Sequence, residues 1–137
     1  MSGNSLDMVI GAGSAIGHAL IERWSREGSR PVVAVARSEA SLAAVGAPGV
    51  QTQHCDYSEA ALATFAAQLQ ERTADITRLV ICNGVLQGEG YRPERALNQL
   101  TTNAMEQVFE VNTFVPMRVL ASLAPVLKRS AAPRIAV

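Results

Sequence analysis

The sequence LDMVIGAGSAIG at residues 6–17 joins a short apolar run to a glycine-rich turn. Apolar residues then recur with helical spacing at Ile16, Leu20 and Trp24. A strand, a glycine turn and a helix in this order are typical of folds that bind dinucleotides. We therefore predict an α/β fold in which this turn binds the phosphates of a nucleotide. An ordinary strand-to-helix turn that contains three glycines is the alternative.

The three glycines of the turn have different predicted roles. Gly11 can adopt a backbone conformation that side chains disfavour. Gly13 leaves room for a pyrophosphate beside the main chain, and Gly17 allows the helix to pack closely on the strand. The N–H groups and the positive end of the helix would face the phosphates. The predicted cofactor contacts in this turn are Gly11, Gly13, Ser14, Ala15, Ile16 and Gly17.

The composition of the 137-residue chain indicates a folded protein without a polyanionic partner. Apolar residues make up 48% of the sequence, which is too many for a disordered chain. Twelve basic and twelve acidic residues cancel, so we predict neither a nucleic-acid nor a membrane partner. The sequence has no spanning apolar stretch and no signal-peptide pattern, and we predict a cytoplasmic location.

The cysteines and histidines predict no metal site. Cys55 and Cys82 lack the spacing of metal ligands, and we interpret them as reduced structural thiols. His18 and His54 are isolated in the sequence, which favours structural roles for both.

Strand-like and helix-like segments alternate along the chain. Repeated βαβ units of this kind predict a doubly wound parallel sheet, the Rossmann fold, and a single domain over residues 1–137. The predicted strands are residues 6–10, 31–36, 50–54, 79–82 and 134–137, with helices at 39–45, 59–72 and 103–129 besides the one after the turn, and a loop at 83–100.

One polar side chain interrupts the apolar face of the predicted helix 103–129. Asn103 and Glu106 form a capping-box pattern at its start. Pro116 removes the helical hydrogen bond to the Asn112 carbonyl, which is then free to hold a water in a proton path. A kinked helix with a hydrated carbonyl and no chemistry is the alternative. The stripe that Asn112 interrupts comprises Met105, Val108, Phe109, Pro116, Val119 and Leu123.

The end of the second predicted strand indicates which dinucleotide binds. Proteins that prefer NAD(H) place a carboxylate here, where it holds the ribose 2′-hydroxyl. This chain has Ala36 and Arg37, and a guanidinium suits a 2′-phosphate through charge and paired hydrogen bonds. We predict that NADP(H) is preferred over NAD(H). A solvated arginine at a strand end is the alternative.

Two further segments follow strands at the edge where open α/β sheets bind ligands. Asp56 is placed to accept a hydrogen bond from an adenine amine, or else to cap the next helix. Gly84 would let the backbone approach the cofactor's ribose, or else forms an ordinary turn. The predicted cofactor contacts in these segments are Asp56, Tyr57, Asn83, Gly84 and Val85.

Taken together, these motifs resemble those of the short-chain dehydrogenase/reductase family. The family turn Thr-Gly-x-x-x-Gly-x-Gly aligns with Ile10, Gly11, Ala15 and Gly17, so Ile10 replaces the threonine and Ala15 the middle glycine. The family's Asn-Asn-Ala-Gly aligns with residues 81–84, of which only the glycine matches. Within the family, the chain looks most like the branch of sniffer-type carbonyl reductases and the C-factor signalling protein.

The resemblance implies a strand order of 3-2-1-4-5 and roles for two polar residues. Asp56 matches the family's adenine-contacting aspartate, and Asn112 matches its catalytic asparagine, whose carbonyl holds a proton-relay water. The family also needs a serine after the fifth strand and Tyr-x-x-x-Lys on the next helix. No Tyr-x-x-x-Lys occurs in the sequence. The chain therefore resembles the cofactor-binding part of a longer enzyme, incomplete relative to the family and truncated after the fifth strand.

Two functions are consistent with these observations, and a third is not favoured. The first is an NADP(H)-dependent oxidoreductase that transfers hydride between nicotinamide and a carbonyl or alcohol substrate, with the catalytic Ser, Tyr and Lys outside this chain. The second is a non-catalytic nucleotide-binding or signalling module, as the C-factor resemblance implies. A methyltransferase is disfavoured because a ribose diol needs a carboxylate near Ala36 and Arg37. The resemblance also implies a homo-oligomer that pairs through the helix 103–129.

Overall fold

The computed structural model, which describes residues 3–137, contains one five-stranded sheet with the strand order 3-2-1-4-5. Every pair of neighbouring strands is parallel. Helices cover both faces, so the predicted Rossmann fold and its strand order are confirmed. The order reverses beside the first strand, and open α/β sheets bind ligands at such a reversal.

The elements alternate along the chain as βαβ units. The strands are β1 (Ser5–Ile10), β2 (Val32–Ala36), β3 (Val50–His54), β4 (Asp75–Ile81) and β5 (Arg134–Ala136). The helices are α1 (Ala15–Glu27), α2 (Glu39–Ala44), α3 (Glu59–Glu71), α4 (Thr102–Phe109) and α5 (Val115–Arg129), with a π-helical segment at Glu110–Phe114 and a 3-10 helix at Leu97–Gln99. Within residues 3–137, no helix is both long and apolar enough to cross a membrane.

Two apolar cores lie on opposite faces of the sheet. One joins alternate residues of the central strands to α3 and α5, and the other joins the intervening residues to α1 and α2. Because both faces are covered, all five residues of β2 are buried. The apolar face predicted for the third helix is confirmed as buried and consists of Leu62, Phe65, Ala66 and Leu69.

The fourth strand begins earlier than the sequence pattern predicts. The prediction of 79–82 was wrong, because the strand runs from Asp75 to Ile81 and pairs with β1 from Ser5 onward. The first half of the strand is rich in polar residues, so no apolar run marks it in the sequence. Asp75 accepts hydrogen bonds from the Ser5 hydroxyl and the Ala131 N–H. Both oxygens of its carboxylate therefore have hydrogen-bond donors at the start of β4.

The helix predicted over 103–129 is present from Thr102 to Arg129, but it is irregular in the middle. A π-helical segment separates α4 from α5, and the Val115 N–H reaches back to the Glu110 carbonyl. Pro116 has no N–H to continue the regular ladder, which accounts for an irregular turn just before it. The prediction that Asn103 starts the helix with a capping box is wrong. Thr101 is the N-cap, and its hydroxyl accepts a hydrogen bond from the Ala104 N–H.

Only the second half of the predicted apolar stripe is buried. Val119 and Leu123 are fully buried where α5 packs against α3 and β4. By contrast, Met105 is 41% exposed and Phe109 is 55% exposed, because α4 contacts mainly the π-helical segment that follows it. Asn112, which interrupts this stripe, is exposed too, so this part of the predicted apolar face does not turn toward the core.

A buried carboxylate joins the two halves of the sheet. The side chain of Asp7 on β1 is almost fully buried and pairs with Arg30 at 3.3 Å and Arg78 at 2.6 Å. Arg78 also pairs with Glu27 and stacks over the Trp24 ring, 4.2 Å from its centroid. A buried charge with two cationic partners costs far less than an unpaired one. The cluster therefore holds β1, β4 and α1 together.

Candidate nucleotide-binding site

A cleft of about 270 Å³ opens at the carboxyl ends of the central strands. The glycine turn after β1 forms one wall, and the chain segments that leave β2 and β4 form the others. The position agrees with the ligand site that the strand order predicts. Eight of the predicted cofactor contacts line the cleft, namely Gly11, Gly13, Ser14, Arg37, Tyr57, Asn83, Gly84 and Val85.

Two glycines of the turn could not carry a side chain without displacing backbone. Gly11 has a φ of 80°, and a Cβ there would lie 2.8 Å from the Asn83 nitrogen. A Cβ on Gly17 would lie 2.5 Å from the Gly11 carbonyl oxygen. Both distances are shorter than real Cβ contacts allow. The turn therefore packs closely against β4 on one side and α1 on the other.

The start of α1 presents unused hydrogen-bond donors. Ser14 is the N-cap, and its hydroxyl accepts from the Gly17 N–H at 2.9 Å. In the part of the chain that the structure describes, the N–H groups of Ala15 and Ile16 have no acceptor. Free N–H groups at the positive end of a helix favour an anion.

Arg37 lies at the rim of the cleft, just after β2. Its carbonyl oxygen is 3.0 Å from Nε2 of His54, which ties this segment to the end of β3. The next residue, Ser38, caps α2 by accepting from the Ser41 N–H. The guanidinium is exposed, and the backbone beneath it is held by these hydrogen bonds.

The floor of the cleft contains a thiol and a phenol. Cys82 is partly buried, and desolvation raises the pKa of its thiol while the Ser14 side chain offsets part of the effect. Burial likewise raises the pKa of the Tyr57 phenol, against smaller lowering effects of the nearby Asn83 side chain and of the Gly11 N–H. Both groups therefore stay protonated at neutral pH. Cys55 and Cys82 both have free thiols, and of the two only Cys55 is fully buried.

Asn112 binds the backbone at the far side of the cleft. The Val85 N–H donates to Oδ1 of Asn112 at 2.7 Å, and Nδ2 of Asn112 donates to the Val85 carbonyl at 2.8 Å. The two residues are 27 positions apart, so the pair connects the loop after β4 to the π-helical segment. This contact fixes the loop that forms the cleft wall around Gly84 and Val85.

Four predicted contacts do not line the cleft: Ala15, Ile16, Gly17 and Asp56. The Asp56 carboxylate is exposed and accepts from the Ser58 N–H at 2.9 Å. Hydrogen bonds from the Ser58 side chain and backbone lower the pKa of Asp56. Ser58, rather than Asp56, is the N-cap of α3, so the structure does not show the capping alternative for Asp56, and its contact with adenine stays a prediction.

The cleft also includes residues that the sequence analysis did not assign to it. Ser38 and Ser41 place two hydroxyl groups beside Arg37, and their closeness to the end of β2 was a usable signal. Val111 comes from the π-helical segment, which no local pattern predicted. The unassigned lining residues are Ala36, Ser38, Ser41, Cys82 and Val111. Among residues 3–137, no three His, Cys, Asp or Glu side chains are grouped to hold a metal.

Comparison with known proteins identifies the family. A model of the short chain dehydrogenase family matches residues 7–137, almost the whole chain. The chain belongs to this family. The match includes the glycine turn, the cleft and the π-helical segment. No match was found among functionally curated proteins.

Solved structures show the same fold at low sequence identity. A short-chain dehydrogenase from Streptomyces avermitilis has a TM-score of 0.78 and 22% identity, covering 96% of this chain and 47% of that one. Aldohexose dehydrogenase from Thermoplasma acidophilum, in ligand-free form, has a TM-score of 0.76 and 20% identity, covering 96% of this chain and 48% of that one.

A third structure contains a dinucleotide. A variant of actinorhodin polyketide ketoreductase with NADPH has a TM-score of 0.73 and 24% identity, covering 90% of this chain and 47% of that one. This chain therefore spans about half the length of the three structures to which it is similar.

Proposed function

We propose that this chain binds NADP(H) in the cleft and orients it for an oxidoreductase of the short chain dehydrogenase family. The observation that carries the proposal is a cleft lined by Gly11, Gly13 and Ser14, the N-cap of α1, with the Arg37 guanidinium at its rim. Helix N–H groups suit a diphosphate, and Arg37 suits a 2′-phosphate. The donor set therefore fits a phosphorylated dinucleotide.

The cofactor would supply hydride exchange with a carbonyl or alcohol carbon. Within this chain, the glycine turn would hold the diphosphate, and the wall at Asn83, Gly84 and Val85 would position the adjoining ribose. Asn112 keeps that wall in place through its two hydrogen bonds to Val85. We further propose that the Asn112 carbonyl holds a water of a proton relay, as the family resemblance implies.

We propose that the final proton transfer is carried out by groups that residues 1–137 do not contain. The tyrosines at 57 and 91 lack a lysine four positions later, and Lys128 lacks a tyrosine four positions before it. Tyr57 is also buried beneath the turn. We therefore expect the 137-residue chain to bind cofactor without reducing a carbonyl substrate. A signalling module similar to C-factor is the second candidate, as the family resemblance implies.

Self-association is also part of the proposal. Three large apolar side chains, Phe109, Phe114 and Met117, are each more than half exposed along the region predicted to pair with a second copy. Burial of such a surface would favour a homo-oligomer.

The test is a titration of the wild-type chain and of Arg37→Ala with NADPH and NADH. Loss of charge-assisted hydrogen bonds to a phosphate should raise the Kd for NADPH by about tenfold or more, while the Kd for NADH changes less than twofold. Arg92→Ala, an exposed arginine away from the cleft, is the matched control and should behave as wild type. Equal losses for both dinucleotides would exclude a 2′-phosphate role for Arg37.

A turnover assay on the same protein distinguishes the two candidates. Steady NADPH oxidation with a carbonyl substrate would contradict the expectation that groups outside residues 1–137 are required. Binding without turnover would fit both candidates, and activity in a longer polypeptide with Tyr-x-x-x-Lys would then favour the oxidoreductase.

A further inference from the structure

Tyr57 has an unusual backbone and an unusual position. Its φ is 63°, a backbone conformation that residues other than glycine rarely adopt. The ring is only 2% exposed, although it lies just after the end of β3. The local chain accommodates this because Asp56 and Ser58 hydrogen-bond to each other around it and Ser58 caps α3. The backbone thus directs a phenol beneath the glycine turn.

The hydroxyl of Tyr57 contacts both the turn and the neighbouring strand. The Gly11 N–H donates to it at 3.2 Å, and the hydroxyl donates to the Val35 carbonyl at 3.3 Å. The Gly11 N–H also donates to Val35 at 3.0 Å. The phenol therefore bridges two backbone groups at the point where the turn leaves β1.

Gly11 has little freedom on its other side. Asn83 lies so close that a Cβ on Gly11 would meet its backbone nitrogen. The Asn83 side-chain oxygen is buried and has no hydrogen-bond partner among the residues that the structure describes. The turn is thus confined between Tyr57 and Asn83, and of these two side chains only the phenol hydrogen-bonds to it.

We propose that Tyr57 is a positioning residue, whose hydroxyl holds Gly11 so that the glycine turn keeps the shape that accepts a diphosphate. The inference rests on the proposed function, because it assumes that the turn binds a dinucleotide. It does not place the hydroxyl in contact with the ligand. A phenylalanine would fill the same volume, so the hydroxyl alone is responsible for the effect.

The test compares Tyr57→Phe with wild type for two ligands: NADPH, which contains a diphosphate, and adenosine 2′-monophosphate, which does not. We expect the Kd for NADPH to rise about three- to tenfold, the range for loss of one hydrogen bond. The Kd for adenosine 2′-monophosphate should change less than twofold. Tyr91→Phe removes the other tyrosine hydroxyl, which lies outside the cleft, and should leave both Kd values unchanged.

Amide hydrogen exchange gives a second measurement that a general loss of stability would not reproduce. In Tyr57→Phe, exchange at Gly11 should become faster while exchange within β2 stays at the wild-type rate. Equal losses for both ligands, an unchanged Kd for NADPH, or failure of Tyr57→Phe to fold would each overturn the inference. If wild type binds neither ligand, the proposed function itself fails, and this inference fails with it.

Discussion

Replacement of Asn112 by alanine should loosen one wall of the cleft without unfolding the protein. The change removes two hydrogen bonds to Val85, of 2.7 and 2.8 Å. Each such bond contributes about 1 kcal/mol, but Asn112 is exposed and water replaces part of the loss. We therefore expect local opening at Val85 to become easier by about 1 kcal/mol, or about fivefold in its equilibrium constant.

Hydrogen exchange at the Val85 amide measures this opening directly. Its exchange rate should rise about fivefold in Asn112→Ala, whereas the urea midpoint should move little because the contact joins two surface segments. Asn103→Ala, an exposed asparagine on α4, is the matched control and should leave exchange at Val85 unchanged. The argument is refuted if Val85 exchanges at the wild-type rate, or if both variants accelerate it equally.

Two further predictions concern stability. Asp7→Asn leaves Arg30 and Arg78 without their shared carboxylate and should lower the free energy of unfolding by about 2 kcal/mol, less than for a fully buried pair because both arginines are partly exposed. Urea unfolding followed by tryptophan fluorescence measures it, and an unchanged midpoint would contradict it. Hydrogen bonds from Ser58 lower the pKa of Asp56 below its ordinary value of 3.8. The ionised carboxylate therefore stabilises the folded protein fully above pH 3.8, and this stabilisation is lost as the pH falls through the lower pKa of the folded state. Asp56→Asn should therefore differ from wild type in urea midpoint at neutral pH and converge with it in acid; a constant difference would refute this.

Local sequence signals were sufficient for most of the fold. The glycine turn, the alternation of strands and helices, and the apolar face of α3 each depend on residues close together in the chain, and the structure agrees with them. The signals failed where a strand begins with polar residues at Asp75 and where Thr101 rather than Asn103 caps α4. At Asp75, distant residues satisfy the polar group, because Ser5 and Ala131 donate to its carboxylate. At Thr101 the signal is local, because its hydroxyl accepts from the Ala104 N–H, and the capping-box pattern at Asn103 pointed to the wrong residue.

The candidate site divides in the same way. Residues just after strands, such as Arg37 and Gly84, could be predicted because parallel strands bring their carboxyl ends to one edge. Val111 could not, since it reaches the cleft only through the π-helical segment before Pro116. A helical stripe in the sequence also does not reveal which neighbour covers it, so the exposure of Phe109 was missed.

By itself, the sequence determined the order of the elements, the parallel sheet and the place of the glycine turn, because these follow from short-range periodicity and from the backbone freedom of glycine. Only the tertiary structure decided what holds that turn and the facing loop in place. Tyr57 reaches Gly11 across 46 residues, and Asn112 reaches Val85 across 27. Such contacts form only when distant segments pack together, and no periodicity along the chain records them.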